Sequence, residues 1–345
     1  MSEQEPVRIP RVAGRRSRHG HDDDNDLTPE EIAAIEAAYR DEVPSGRHGS
    51  HSLRESLDNA TLPAALSGVP LRSDAPSSKA GRNLPAAIGV GVGLGAIILA
   101  TLWLWRPGFV VIVCIAVVYA LYELTTGIAT VEARVPLIPL VVGGLAMDIA
   151  AWYRGSNGLV AGLLLTVIAV AIWRLADGSL GYLRDLSAAV LCALYVPLLA
   201  GFAVLLVHPH DGAGRVVAFI LTVVCSDVGG YATGVLFGRH PMAPTVSPKK
   251  SWEGFAGSLI ACVACGSLLM ALVFHEQWWK GALFGLAIVV TATLGDLGES
   301  MIKRDLGLKD MGRLLPGHGG LMDRMDSLLP CAAVAYLILI VAVPT

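Results

Sequence analysis

Of the thirty charged side chains that follow residue 83, eleven fall in one stretch, Gly295 to Ser327, reading GDLGESMIKRDLGLKDMGRLLPGHGGLMDRMDS. Asp296, Glu299 and Lys303 stand at i, i+3 and i+7, which puts two carboxylates and an ammonium on one helix face. Further on, Asp323 and Asp326 stand three apart in DRMD, with Arg324 between them. Carboxylates converging with Lys303, Arg304, Lys309, Arg313 and Arg324 suit a divalent cation and a polyphosphate. Hard cations such as Mg2+ take carboxylate and phosphate oxygens, and Lys and Arg neutralise the remaining phosphate charge. Between the two acidic groups lies Pro316-Gly317-His318-Gly319-Gly320. Its glycines let successive backbone N–H groups approach an anion. His318 suits a general base, a phosphate donor or a turn residue, and phosphate or loop positioning is favoured. On this reading Asp296, Asp323, Asp326, Lys303, Arg304 and Arg324 carry the chemistry. The three aspartates hold Mg2+, and Lys309, Gly317, His318, Gly319 and Gly320 bind substrate.

A second set lies upstream: Asp227 in Cys225-Ser-Asp-Val-Gly-Gly-Tyr, then Ser247, Lys249 and Lys250 in Ser-Pro-Lys-Lys-Ser-Trp-Glu-Gly. A carboxylate inside a membrane span costs about 2.5 to 3.5 kcal/mol on insertion scales, so Asp227 needs a partner or a function. At the helical rise Asp227 sits roughly 15 Å, and Asp296 roughly 10 Å, from the same end of their helices. Both are therefore expected to face one pocket, with Asp227, Ser247, Lys249 and Lys250 binding substrate.

The elements that hold these residues must be membrane helices. The 345 residues are 54% hydrophobic and 16% charged, with a mean hydropathy of +0.58, which excludes an ordinary soluble protein. Neither half is basic enough for a nucleic-acid partner. Nine apolar runs are expected to span, at about 84–105, 108–125, 135–152, 158–173, 186–207, 215–237, 253–274, 282–303 and 327–344. The fourth is the weakest, and the fold class is an all-α, polytopic integral membrane protein. Alternate connections hold eleven basic residues on one side and four on the other. The positive-inside rule then places the charged stretch in the cytosol. Residues 1–83, with 11 basic and 14 acidic groups and few aromatics, are expected to form a disordered cytosolic tail. Within it only Thr28 to Tyr39 has a helical pattern. The six cysteines all lie in apolar runs, and Cys262-x-x-Cys265 lacks a completing pair, so they are read as buried membrane residues.

Ser300 to Asp326 fills every fixed position of S-x-x-K-R-x(4)-K-D-x-G-x(3)-P-G-H-G-G-x-x-D-R-x-D. That run resembles the signature of the phosphatidate cytidylyltransferase, or CDP-diacylglycerol synthase, family. D-x-G-x-Y-x-x-G at Asp227 and the SPKKSWEG loop resemble the same family, although Val228 and Gly230 stand where Thr or Ser and Ala are often found. The resemblance covers 215–330 well, the earlier spans only as hydrophobic architecture, and the tail not at all. It implies a cell-membrane nucleotidyltransferase, working as a homodimer, that turns CTP and phosphatidic acid into CDP-diacylglycerol with Mg2+. A CDP-alcohol phosphatidyltransferase is the rival enzyme, but its D-x-x-D-G-x-x-A-R run is missing. An ion-coupled transporter is the rival of another class. Its midplane sites fit poorly with charge gathered at span ends.

Overall fold

The computed structural model describes residues 84–312 and 320–344; of 84–90 and 92 it describes the backbone alone. The tail and its short helix therefore lie outside the described residues, as do Gly317, His318 and Gly319. The chain runs α1 (Leu84–Leu104), α2 (Arg106–Ile128), α3 (Leu137–Ala176), α4 (Tyr182–Ala193), α5 (Leu199–Val207), α6 (Gly212–Phe237), β1 (Pro241–Ala243), β2 (Ser247–Ser251), α7 (Trp252–Leu272), α8 (Trp278–Asp305), α9 (Met322–Met325) and α10 (Leu328–Ala342). A wide turn at Leu194–Leu198, built around Pro197, joins α4 to α5 without a break. Proline lacks the N–H and crowds the preceding turn, and a widened turn absorbs both. β1 and β2 form an antiparallel hairpin, the one sheet among the described residues.

Among the described residues, seven stretches of helix are long and apolar enough to cross a membrane, so the protein is an all-α, multi-pass membrane protein. The expected count of nine differs from this in two places. The first run is the helix Leu84–Leu104, whose apolar stretch with described side chains is Gly93–Leu104. The third and fourth runs are joined in the 40 residues of α3, broken at Gly155 with φ 62° and ψ −147°. That backbone is open to glycine and strained for other residues. Across the break the two arms pack tightly. A Cβ on Gly158 would lie 2.1 Å from the Ala150 carbonyl oxygen, and one on Gly162 would lie 2.7 Å from the Met147 Cα. Gly143, nearer the start, meets Thr166, nearer the end. α3 is thus a tight helical hairpin, with small residues at its seam in place of a loop.

The connections sort into two ends. At one, Arg106 donates to the carbonyls of Pro209 and His210, Trp152 packs edge-on against His208, and Lys280 reaches the Ala342 carbonyl. At the other, Arg184 donates to the Glu132 carbonyl, the Arg134 N–H to Asp185, and Thr130 to the Leu306 carbonyl. Lys250 and Asp296 also meet at this second end. These are the groupings that alternate connections of a serpentine chain produce.

α6 lies along α7, and α7 along α8, in the most extensive helix packing of the protein. Glycine makes this approach possible: a Cβ on Gly281 of α8 would lie 2.1 Å from the Gly266 carbonyl of α7. Between membrane helices the driving force is close packing and not water exclusion, so such small-residue contacts matter. Ser258 donates to the Ser226 carbonyl at 2.6 Å and fixes the register of α7 on α6 beside Asp227. All six cysteines are unbridged, and the Cys262 thiol hydrogen-bonds the Thr222 carbonyl.

Candidate active site

Four elements bring charged groups to the second end. α6 supplies Asp227; the β hairpin supplies Ser247, Lys249 and Lys250; α8 supplies Asp296, Glu299, Lys303 and Arg304. Asp323 and Arg324 lie on α9, with Asp326 just beyond it. The β hairpin ends in Ser251, whose hydroxyl accepts from the Gly254 N–H at 3.1 Å and caps α7. That cap sets where Lys249 and Lys250 stand relative to α6 and α8.

A cavity of about 250 Å3 opens between α6, β2, α7 and α8, and Asp227, Lys249, Lys250 and Asp296 all line it. The shared pocket expected for Asp227 and Asp296 is therefore present. Within it Lys250 Nζ lies 2.6 Å from Asp296 Oδ2. Lys249 also lines a second cavity, of about 210 Å3, together with Ser247, Ser300, Lys303, Arg304 and Lys309. Four cations and two hydroxyls face this space, with no carboxylate among the described lining residues. Such a lining suits a multiply charged anion. One cavity thus carries the carboxylates and the other the excess positive charge, with Lys249 in the wall of both.

Beneath the cavities runs an ion-pair chain. Lys303 Nζ lies 2.6 Å from Glu299 Oε2 and 2.9 Å from Asp323 Oδ1, and Glu299 is fully buried. Asp323 also accepts from the Gly320 N–H at 2.9 Å and from the Met311 N–H at 3.2 Å. Its carboxylate thereby joins Met311 and Gly320, on either side of 313–319. Asp326 interacts with both Asp296 and Glu299 and accepts from the Ser327 N–H, and Arg324 lies within electrostatic reach of Asp227.

Among the described residues, no three His, Cys, Asp or Glu groups are close enough together to form a ready-made metal cage. Asp296, Asp323 and Asp326 therefore do not close on one point, and the oxygens of Asp323 are engaged by Lys303 and two backbone N–H groups. Asp227 and Asp296, which line one cavity, are the better-placed pair. Mg2+ usually keeps several waters and takes one or two carboxylates plus substrate phosphates, so this donor set fits an ion that arrives with a polyphosphate.

Two groups escape a reading of the sequence by motif. Glu299 sits inside the charged stretch and shares the face of Asp296, but only the structure shows it fully buried and holding Lys303. Glu123 lies on α2, far from the motif in sequence, yet its carboxylate accepts from the Met322 N–H at 2.8 Å. The available signal was its position, since a carboxylate in an apolar run is by default a functional candidate.

With this geometry in place, comparison with known proteins is specific. The model of the cytidylyltransferase family matches residues 85–342, nearly the whole helical region. A phosphatidate cytidylyltransferase of Mycobacterium leprae is 48% identical over 278 residues, covering 76% of this chain and 89% of that protein. One from Mycobacterium tuberculosis H37Rv is 43% identical over 310 residues, covering 86% and 94%. A more distant relative of the same name, from Brucella suis, is 33% identical over 260 residues, covering 74% and 93%. A family match spanning α1 to α10, together with relatives that align over nearly their full length, establishes that the chain belongs to the cytidylyltransferase family.

Proposed function

We propose that the protein is the membrane enzyme that joins CTP to phosphatidic acid, giving CDP-diacylglycerol and pyrophosphate for phospholipid synthesis. The observation that carries this reading is the pair of adjoining cavities. A carboxylate-lined space and a cation-lined space share Lys249, as a reaction between two phosphate-bearing substrates requires. The family supplies the nucleotide, and the shared name of the relatives supplies the lipid.

In the reaction a phosphate oxygen of phosphatidate forms a bond to the α-phosphorus of CTP. The bond from that phosphorus to the oxygen bridging to the β-phosphate breaks, and the electron pair leaves with pyrophosphate. A phosphate monoester is already ionised at neutral pH, so the nucleophile needs no strong base. Lys303, Arg304 and Lys309, with Lys249 at the junction, hold the β- and γ-phosphates and balance the charge on the leaving group. Asp227 and Asp296, with Asp326 in electrostatic contact with Asp296, would hold an Mg2+ ion, which would supply electrophilic stabilisation and alignment of the phosphates. Lys250 is the counter-ion of Asp296 before substrate arrives, and afterwards is a donor to a phosphate oxygen. The Gly317 to Gly320 run and His318 complete the phosphate cradle on the reading of their sequence.

The excess of basic residues in alternate connections supports a site facing the cytosol, where CTP is available, in a protein of the cell membrane. The homodimer that the family resemblance implies belongs to the same proposal, and crosslinking in native membranes tests it. The reading as a whole is tested by incubating purified protein with α-labelled CTP, phosphatidic acid micelles and Mg2+. Label should pass into the lipid phase with stoichiometric pyrophosphate release. Correctly folded protein that transfers no label would overturn it.

A further inference from the structure

Glu123 is 5% exposed on α2, and among the described residues only one of its two oxygens accepts a hydrogen bond. Oε2 accepts from the Met322 N–H, whereas Oε1 is buried and has no hydrogen-bond partner among the described residues. Burying a carboxylate with an idle oxygen is unfavourable, and native structures keep few such groups. Its surroundings show what it does there. A Cβ on Gly312 would lie 2.1 Å from Glu123 Oε1, and one on Gly320 would lie 2.7 Å from Oε2 and 2.8 Å from the Gly312 nitrogen. The carboxylate is thus packed between the two glycines that flank 313–319, in a space no larger residue leaves open.

Neighbouring contacts have the same direction. Gly127, one turn further along α2, faces Leu308 and Met311, and Thr130 donates to the Leu306 carbonyl. On the opposite side Asp323 grips the Gly320 and Met311 N–H groups and connects them to Lys303 and Glu299.

We propose that Glu123 is a positioning residue for the proposed nucleotidyl transfer, acting through Gly312, Gly320 and Met322 to hold both ends of the glycine-rich loop against α2. It touches no substrate. The residues flanking 313–319 are held from two sides, by Glu123 on α2 and by Asp323 on α9, so the amino-terminal helices take part in the site and are more than its membrane support. The proposal rests on the functional reading above for its kinetic consequence, but not for its geometry.

Two readouts on the full-length protein separate these. Trypsin cleavage after Arg313, in detergent, reports loop release without any substrate. Cleavage from a locally opened state tracks the free energy of opening, so losing the Glu123 contact in Glu123→Ala should speed it on the order of fivefold or more. Glu123→Gln keeps the volume and one acceptor for Met322, and should fold normally with a smaller increase. In turnover, Glu123→Ala should raise the KM for CTP about tenfold while the KM for phosphatidate changes less than about twofold, because a displaced loop misplaces one substrate. A purely structural role would lower the amount of active enzyme and leave both KM values alone. Gly312→Ala should show the same defects, and adding Glu123→Ala to it should cost little more, since contacting residues are non-additive. Unchanged cleavage in Glu123→Ala, or additive losses in the double variant, overturns the clamp. Wild-type protein that transfers no label overturns the functional reading instead, and the cleavage comparison still decides the clamp.

Discussion

The two aspartates that look alike in the sequence should fail in different ways when each is changed to Asn. Asp296 and its partner Lys250 have side chains 29% and 27% exposed. A pair this open to water contributes about 0 to 1 kcal/mol to stability. Asp296→Asn should therefore unfold within a few degrees of the wild type. In the reaction, however, it removes an oxygen ligand from the carboxylate-lined cavity, where electrostatic groups of this kind are worth about 3 to 4 kcal/mol, or roughly 10^2 to 10^3-fold in turnover. Asp323 is different. Its side chain is 9% exposed and accepts from Lys303, Gly320 and Met311. Asn there presents an amide donor to groups that are themselves donors, and leaves Lys303, 16% exposed, with Glu299 as its one remaining carboxylate at bonding distance. Hydrogen bonds to charged groups contribute about 1.5 to 3 kcal/mol each, and with Glu299 retained a total near 3 kcal/mol is expected. That corresponds to a fall in Tm of roughly 4 to 6 °C for a protein of this size. The assay pairs α-labelled CTP transfer with thermal unfolding of the same purified variants in the same detergent, and the exposed Asp305→Asn as control. If Asp323→Asn melted with the wild type while its turnover collapsed, Asp323 would be acting in the chemistry and the loop-fastening argument would be wrong. If Asp296→Asn kept near-normal turnover with Mg2+ present, the cavity between α6 and α8 would not be the catalytic centre.

Two further outcomes follow from the same geometry. Arg304→Ala and Lys309→Ala each remove a cation from the second cavity, so each should raise the KM for CTP about tenfold and leave the KM for phosphatidate nearly unchanged; equal effects on both would mean that this cavity does not sort the substrates. Leu180→Cys, at a position 94% exposed near the Arg174 and Asp185 pair, should react with an impermeant maleimide from the cytosolic side, and His210→Cys only from the opposite side. The reverse labelling would separate the proposed site from its nucleotide.

What could be read in the sequence was what repeats at short range. Hydrophobic run length gave the helices, because an apolar run of about twenty residues satisfies its own backbone within a bilayer as a helix. The i, i+3, i+7 spacing put Asp296, Glu299 and Lys303 on one face, and the structure pairs Lys303 with Glu299 at 2.6 Å. Depth counted along α6 and α8 brought Asp227 and Asp296 to one pocket. The helical rise fixes that distance once both helices end at the same surface. The break in α3 was legible, since Arg154, Ser156 and Asn157 around Gly155 mark a connection between the expected runs 135–152 and 158–173; that the two arms lie directly against each other was hidden. The division of labour among the aspartates was equally hidden. A carboxylate that binds a cation and one that accepts backbone N–H groups have the same residue type and the same flanking glycines. What tells them apart is which donors the chain folds onto them. For Asp323 these donors are Lys303, twenty residues earlier, and two N–H groups on either side of a loop. For Glu123 the donor is Met322, 199 residues away, so no local pattern could have linked them. A motif records the residues that a reaction needs close together in the chain. Residues that hold such a motif in place need only be close in space, and α2 reaches this one through the Glu123 carboxylate.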